Sequence, residues 1–209
     1  MVKGVAEKTV VSDLAAFTAS IAATGKSRTE GYAAAEKAKM LLLAKLNKLG
    51  FTSSMQGDET VSCDEMHRTE KIKENGKEIT KSYIDHYKVT YSVRICTSDV
   101  NLVARNVLKI HELSMYKYEV TVSRPGYFIN NPEQYKLELV DSASASAAAR
   151  ASVVARQSGC RLGELIEAKQ GVIQITAPAS NETSDYGVYD TNSVQKVIRL
   201  VMTMKFALK

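Results

Sequence analysis

Tyr83-Ile-Asp-His-Tyr-Lys-Val-Thr-Tyr-Ser-Val-Arg-Ile-Cys96 alternates with a period of two. Tyr83, Asp85, Tyr87, Val89, Tyr91, Val93 and Ile95 fall on one face of an extended chain. Ile84, His86, Lys88, Thr90, Ser92 and Arg94 fall on the other. A strand with one apolar and one wet face belongs in an antiparallel sheet. Upstream stands Asn75-Gly76, the strongest short hairpin signal, because both central positions of a type I′ turn need positive φ. Residues 60–73 and 78–96 are therefore predicted to be the arms of one long hairpin. Asp85 is the odd carboxylate on the apolar face, and an edge position or the end of the buried region is expected there rather than a catalytic role.

Working outward, residues 1–23 read as extended, with Ser12-Asp13 as a bend or bulge. Ser27 or Thr29 can cap a helix that runs to about Leu49, with Glu30 in its first turn. Tyr32, Ala35, Met40, Leu42, Leu43, Leu46 and Leu49 form its expected apolar stripe, and Gly50 supplies the left-handed residue that ends it. A second helix is predicted over about 100–114, capped by Thr97, Ser98 or Asp99, with Leu102, Val103, Val107, Leu108 and Ile110 inward. A strand is expected at 118–123. Asn131-Pro132 opens a third helix over 132–158. The run Asp141-Ser-Ala-Ser-Ala-Ser-Ala-Ala-Ala-Arg150 has a linker-like composition. Alanine is the best helix former, however, and the flanks keep helical spacing, so it is read as helix. Its small side chains allow another backbone to approach closely. Residues 162–167 and 171–176 are predicted strands, 178–193 a polar loop with two tyrosines, and the C-terminus alternates Ile198, Leu200, Met202, Met204, Phe206 and Leu208 against Val197, Arg199, Val201, Thr203 and Lys205. The sum is α+β: a largely antiparallel sheet with a long central β-hairpin and three long helices packed on it, in one domain over 1–209 with halves 1–115 and 116–209.

The 209 residues include 28 basic and 23 acidic ones, a net charge of +5, with 44% hydrophobic and 24% charged. That composition excludes wholesale disorder. No apolar run approaches the ~18 residues of a membrane-spanning helix. The basic excess invites a nucleic-acid reading, but acidic residues interleave throughout, as in Glu70-Lys71-Ile72-Lys73-Glu74, so a mixed-sign solvated surface and no nucleic-acid partner are expected. Cys63, Cys96 and Cys160 are widely spaced; three free buried thiols, or one disulfide and one thiol, both fit.

Chemistry is sparse. Cys63 and His67 stand four apart, but on a strand that separates them by roughly 13 Å, so no metal site is expected. There is no nucleophile elbow, zinc-helix motif or phosphate loop, and Cys160 follows a helix C-terminus, where the dipole disfavours a thiolate. No catalytic, metal or cofactor residues are assigned. Tyr83, Tyr87 and Tyr91 on one strand face could be sheet core, a subunit interface or a ligand platform. Asp185, Tyr186, Tyr189 and Asp190 are the candidate interaction residues of the polar loop.

Several stretches together resemble the SIMPL domain family. Val2-Lys-Gly-Val-Ala-Glu-Lys8 and Ser12-Asp-Leu-Ala15 look like that family's first strands, with Ser12 where many members have proline. Leu46-Asn-Lys-Leu-Gly50 looks like the end of its first helix. Ala147 to Gly159 followed by Leu162-Gly-Glu-Leu165 resembles its Ala/Lys-rich helix running into a Leu-Gly strand, and the Ser-rich 142–146 stretch departs from the usual composition. Gly171 to Pro178, Ser184-Asp-Tyr-Gly187, Tyr189-Asp-Thr191 and Ser193 look like a bacterial branch with an N-terminal membrane anchor. The resemblance implies a periplasmic or envelope-located, non-enzymatic protein with a signal or anchor upstream. Some members are linked to oxidative-stress tolerance and some assemble into rings or channels, so a homo-oligomer is expected. A small-molecule or peptide binder with a tyrosine-lined pocket is the alternative. The family has no accepted catalytic residues to carry over.

Overall fold

The computed structural model describes residues 1–74, 77–116 and 118–209. The predicted turn at Asn75-Gly76 lies outside the described residues. Strands β1 (Val2–Val11), β2 (Leu14–Gly25), β3 (Gln56–Glu74), β4 (Lys77–Thr97), β5 (Glu119–Val122), β6 (Gly126–Phe128), β7 (Leu162–Gln170), β8 (Gln174–Thr176) and β9 (Gln195–Leu208) accompany helices α1 (Arg28–Lys48), α2 (Val100–Asn106) and α3 (Glu133–Gln157). The fold is α+β, as the patterning predicts. The strands are divided between two sheets, and the chain forms two compact units, one of Met1–Leu14 with Gly126–Lys209 and one of Ala15–Pro125.

In the first unit β9 lies between β1 and β7, and β8 also pairs with β9, all antiparallel. Ile198, Leu200, Met202 and Met204 turn inward, as their alternation predicts, onto Leu139, Ala143 and Ala147 of α3. Ala143, Ala147, Ala151 and Ala155 recur every four residues and are all buried. Small residues are needed there because the backbones nearly touch. A Cβ on Gly4 of β1 would lie 2.0 Å from the Ala143 carbonyl oxygen and 2.5 Å from the Ala147 nitrogen.

In the second unit the order is β3-β4-β2-β5, again antiparallel. Ser27 caps α1 by accepting from the Glu30 N–H, and the Glu30 carboxylate reaches back past the cap to accept from the Lys26 N–H at 2.9 Å. The helix buries Gly31, Ala35, Ala38, Leu42 and Leu46. Tyr32 and Met40, expected in the stripe, are instead exposed. The true stripe runs through small residues, which lets the helix sit close to the sheet, so residue size misled where period did not. Asp99 caps α2 by accepting from the Leu102 N–H at 2.8 Å. The predicted second helix is α only as far as Asn106 and continues as a 3-10 helix over Val107–Tyr116. Its buried residues Val107, Ile110 and Leu113 recur every three positions, the period of a 3-10 turn. Leu108, expected inward on a 3.6 period, is therefore exposed.

The hairpin is long and its two halves differ. At its base Val89, Tyr91, Val93 and Ile95 are buried. Lys39 of α1 lies 2.7 Å from Glu59 and 4.8 Å over the Tyr91 ring, and Arg28 lies 2.6 Å from Glu65 and over Tyr87. Further out the register shifts between Met66 and His67, with Met66 opposite His86 and His67 opposite Ile84. Asp85 is the extra residue of this bulge, which explains the carboxylate on the apolar face. The bulge also switches the faces beyond it. Tyr83 pairs with Arg68 and is exposed, so the three tyrosines do not form one stack. Tyr91 is core, Tyr87 is half-buried and Tyr83 faces solvent.

Candidate functional site: the loop between β8 and β9 and the open hairpin

The loop expected at 178–193 joins β8 to β9, and side chains of both strands hold it down. The Gln174 amide donates to the Ser184 carbonyl at 2.7 Å and its oxygen accepts from the Ser184 N–H at 3.3 Å. The backbone then runs beside β8, with Ile175 N–H donating to Val188 O and Asp190 N–H to Ile175 O, both at 2.8 Å. Gly187, at φ +91°, makes the turn between these two attachments, where a Cβ would meet the Ile173 carbonyl oxygen at 3.0 Å.

The four candidate residues of this loop take separate roles. Asp190 is a staple: its carboxylate accepts from the Asn192 N–H at 2.9 Å, the Ser193 N–H at 3.2 Å and the Ser193 hydroxyl. Beneath it lies Lys196, fully buried, whose ammonium donates to the Asp190 and Ser193 carbonyls and stands 3.5 Å from the Asp190 carboxylate. Burial pushes the Lys196 ammonium below the ordinary lysine range, against the pull of Asp190. For Asp190, burial acts upward but is outweighed by the Ser193 and Asn192 hydrogen bonds and by Lys196, so the carboxyl sits below its ordinary range. Tyr189 is also structural, its hydroxyl oxygen accepting from the Ile129 N–H at 3.1 Å. Tyr186 is 97% exposed.

Asp185 lines an open cavity of about 700 Å³ together with Lys3, Gln174, Ser184 and Arg199 and the apolar Val172 and Val201. The Arg199 Nε is 3.2 Å from Glu7. Tyr186 and Tyr189 line a different, smaller hollow of about 280 Å³ with Ile173, Ile175 and Lys136. The loop thus brings its candidate residues to two cavities rather than one. Sequence reasoning missed Lys3, Arg199 and Lys196. For Lys196 a signal existed: it shares the parity of Ile198–Met204, so a strict alternation turns a lysine inward.

The open hairpin is the second candidate. Among residues 56–73 and 78–86 none is buried, on either face. β3 pairs with β4 alone among the described strands, so its other edge has no strand beside it. Val61, Met66, Tyr83 and Ile84 are exposed along this ribbon. Asp64 stands opposite Lys88, Glu70 opposite Lys81 and Lys73 opposite Glu78 in the backbone register, while Glu70 lies 3.2 Å from Arg68 and Lys88 lies 2.6 Å from Glu119.

For catalysis or metal binding the geometry offers little. Among the described residues no group of three His, Cys, Asp or Glu could hold a metal ion. Cys63, Cys96 and Cys160 are free thiols, half-buried or exposed rather than buried. His86 engages its neighbour Asp85 at 2.7 Å. Among the described residues, no helix is long and apolar enough to cross a membrane.

These features define an α+β protein whose helices cover sheet faces and whose distinguishing surfaces are an open hairpin and a stapled loop. The chain belongs to the SIMPL family: the family model, described as "Protein of unknown function (DUF541)", matches residues 1–201. No curated protein matches the chain.

Proposed function

We propose that this chain is a non-enzymatic cell-envelope protein that works by self-association, held at the envelope by an N-terminal signal or membrane anchor and contributing to stress tolerance. The observation that carries the self-association is the outer hairpin. A two-stranded ribbon without a covered face is marginal in water, yet beyond Tyr87, where β4 leaves β2, the hairpin continues as two strands and exposes Met66, Tyr83 and Ile84 on its two faces. Association with further copies gives those side chains and the unpaired edge a partner. The envelope location and the stress role are supported only by the family resemblance. Light scattering coupled to size exclusion, over a concentration series, is the test. A discrete oligomer of the 22.9 kDa chain is expected, and a monomer at every concentration overturns the reading. For the location, fractionation of cells producing the natural protein should place it in the envelope.

A second reading rests on the two cavities beside the loop. The larger is lined by charges of both signs and by amide and hydroxyl groups, which suits a small polar molecule or a peptide end, with Asp185 and Arg199 as the charged contacts. A thermal-shift screen of amino acids, dipeptides and sugar acids should find a stabilising compound whose effect is lost in Asp185→Ala. A flat screen ends this alternative.

A further inference from the structure

The charges of β3 are sorted along its length. Asp58, Glu59, Asp64 and Glu65 fall before Met66, with no basic residue among them. His67, Arg68, Lys71 and Lys73 fall after it, with Glu70 the one acid up to residue 73. An edge strand protected against pairing commonly carries charge that repels its own copy. This edge repels a copy laid parallel, acid on acid, but attracts one laid antiparallel, acid on base.

We propose that β3 pairs antiparallel with β3 of a second copy, about a two-fold axis at Met66, making one continuous sheet from two hairpins. The inference rests on the self-association reading and names its interface. In this register Glu65 lies opposite His67 of the second copy, Asp64 opposite Arg68, and Glu59 opposite Lys73, each pair occurring twice. A two-fold axis normal to a sheet keeps each face on its own side. It therefore joins residues of equal parity, and all three pairs satisfy that. Met66, 39% exposed, meets its own copy at the centre. Within the chain Arg68 lies 3.2 Å from Glu70 and His67 3.8 Å from Glu65, exposed neighbours that a second copy's carboxylates would share or displace. Arg28 and Lys39 reach Glu65 and Glu59 from α1, which packs against β4, while the pairing edge of β3 is the side away from β4.

The test uses the full chain. Arg68→Asp and Asp64→Arg each place like charges opposite one another twice, and each is expected to weaken association by roughly tenfold or more. The double variant carrying both exchanges restores the pairs and should recover wild-type association. Circular dichroism of each variant checks that the fold is retained, which is expected because both positions are exposed. The register itself is tested by Thr69→Cys in a Cys96→Ser, Cys160→Ser background. The introduced thiol falls opposite Cys63 of the second copy, and diamide should yield a covalent dimer on a non-reducing gel. Glu70→Cys in the same background, on the other face, should not. If the wild type associates but the single reversals leave association unchanged, or if only Glu70→Cys cross-links, this interface is wrong and self-association stands. If the wild type stays monomeric throughout, both fall.

Discussion

The sheet under α3 and the outer hairpin are both antiparallel, but they are held by opposite means. In the first, Gly4 meets the backbone at Ala143 and Ala147 with no room for a methyl group, and β9 presents an unbroken inward row from Ile198 to Met204. In the second, no residue of 56–73 or 78–86 is buried, and order comes from the backbone ladder between β3 and β4. Close packing makes a structure intolerant of any added atom, whereas a solvated ribbon is tolerant of substitution and open to new partners. The difference sets a close-packed region against an open one.

The comparison breaks most sharply at Gly4. Gly4→Val forces β1 and α3 apart and should cost on the order of 4 kcal/mol or more, seen as a large fall in the urea midpoint. If Gly4→Val is tolerated, the close approach of β1 and α3 is not what holds that sheet. Next comes the loop staple. Asp190→Ala leaves the buried Lys196 ammonium without its counter-charge and should cost about 3 kcal/mol, with faster proteolysis in the 178–193 loop as a local signature.

Acid should act through the same carboxylate. Asp190 is held below its ordinary range, and so is Glu59, chiefly by the hydrogen bond from Lys39 and then by Tyr91. The unfolded chain therefore takes up protons more readily than the folded one as pH falls through the ordinary carboxylate range, near about 4. Stability from both groups is full above that range and is lost below it. Melting curves between neutral and acid pH should show a shallower acid loss in Asp190→Asn than in the wild type. Glu59→Gln should change it less, because solvent screens that more exposed pair. An identical acid limb in all three proteins would remove both carboxylates from the account.

The smallest effect is expected on the ribbon. Val61→Ala in dilute solution should change stability by no more than about 0.5 kcal/mol. At concentrations where copies associate, its cost should grow. A large loss in the dilute monomer would mean that the outer hairpin is packed after all, and the contrast between the two regions would close.

Much of this was legible in the residues. The capped start of α1, the left-handed Gly50, the helical reading of the alanine-rich segment and the alternation of β9 all follow from local rules. Those rules depend on a few neighbours along the chain. Other features escaped for the same reason. The buried stripe of α1 avoids Tyr32 and Met40 because the sheet selects small residues for a close approach. The second helix changes period after Asn106, so Leu108 turns outward. The face of Tyr83 depends on a bulge that only pairing with β3 creates, and the misplaced carboxylate of Asp85 was its one trace in the sequence. The loop residues Asp185, Tyr186, Tyr189 and Asp190 are neighbours in sequence, yet hydrogen bonds to Gln174, Ile129 and Ile175 send them to different tasks.

The sequence by itself determined the elements, their order and the α+β class, because capping, turn chemistry and hydrophobic period act over a few residues. Tertiary structure decided the division of strands between two sheets, the burial of Lys196 and the exposure of the long ribbon. Those depend on which surfaces, far apart in the chain, come to cover one another.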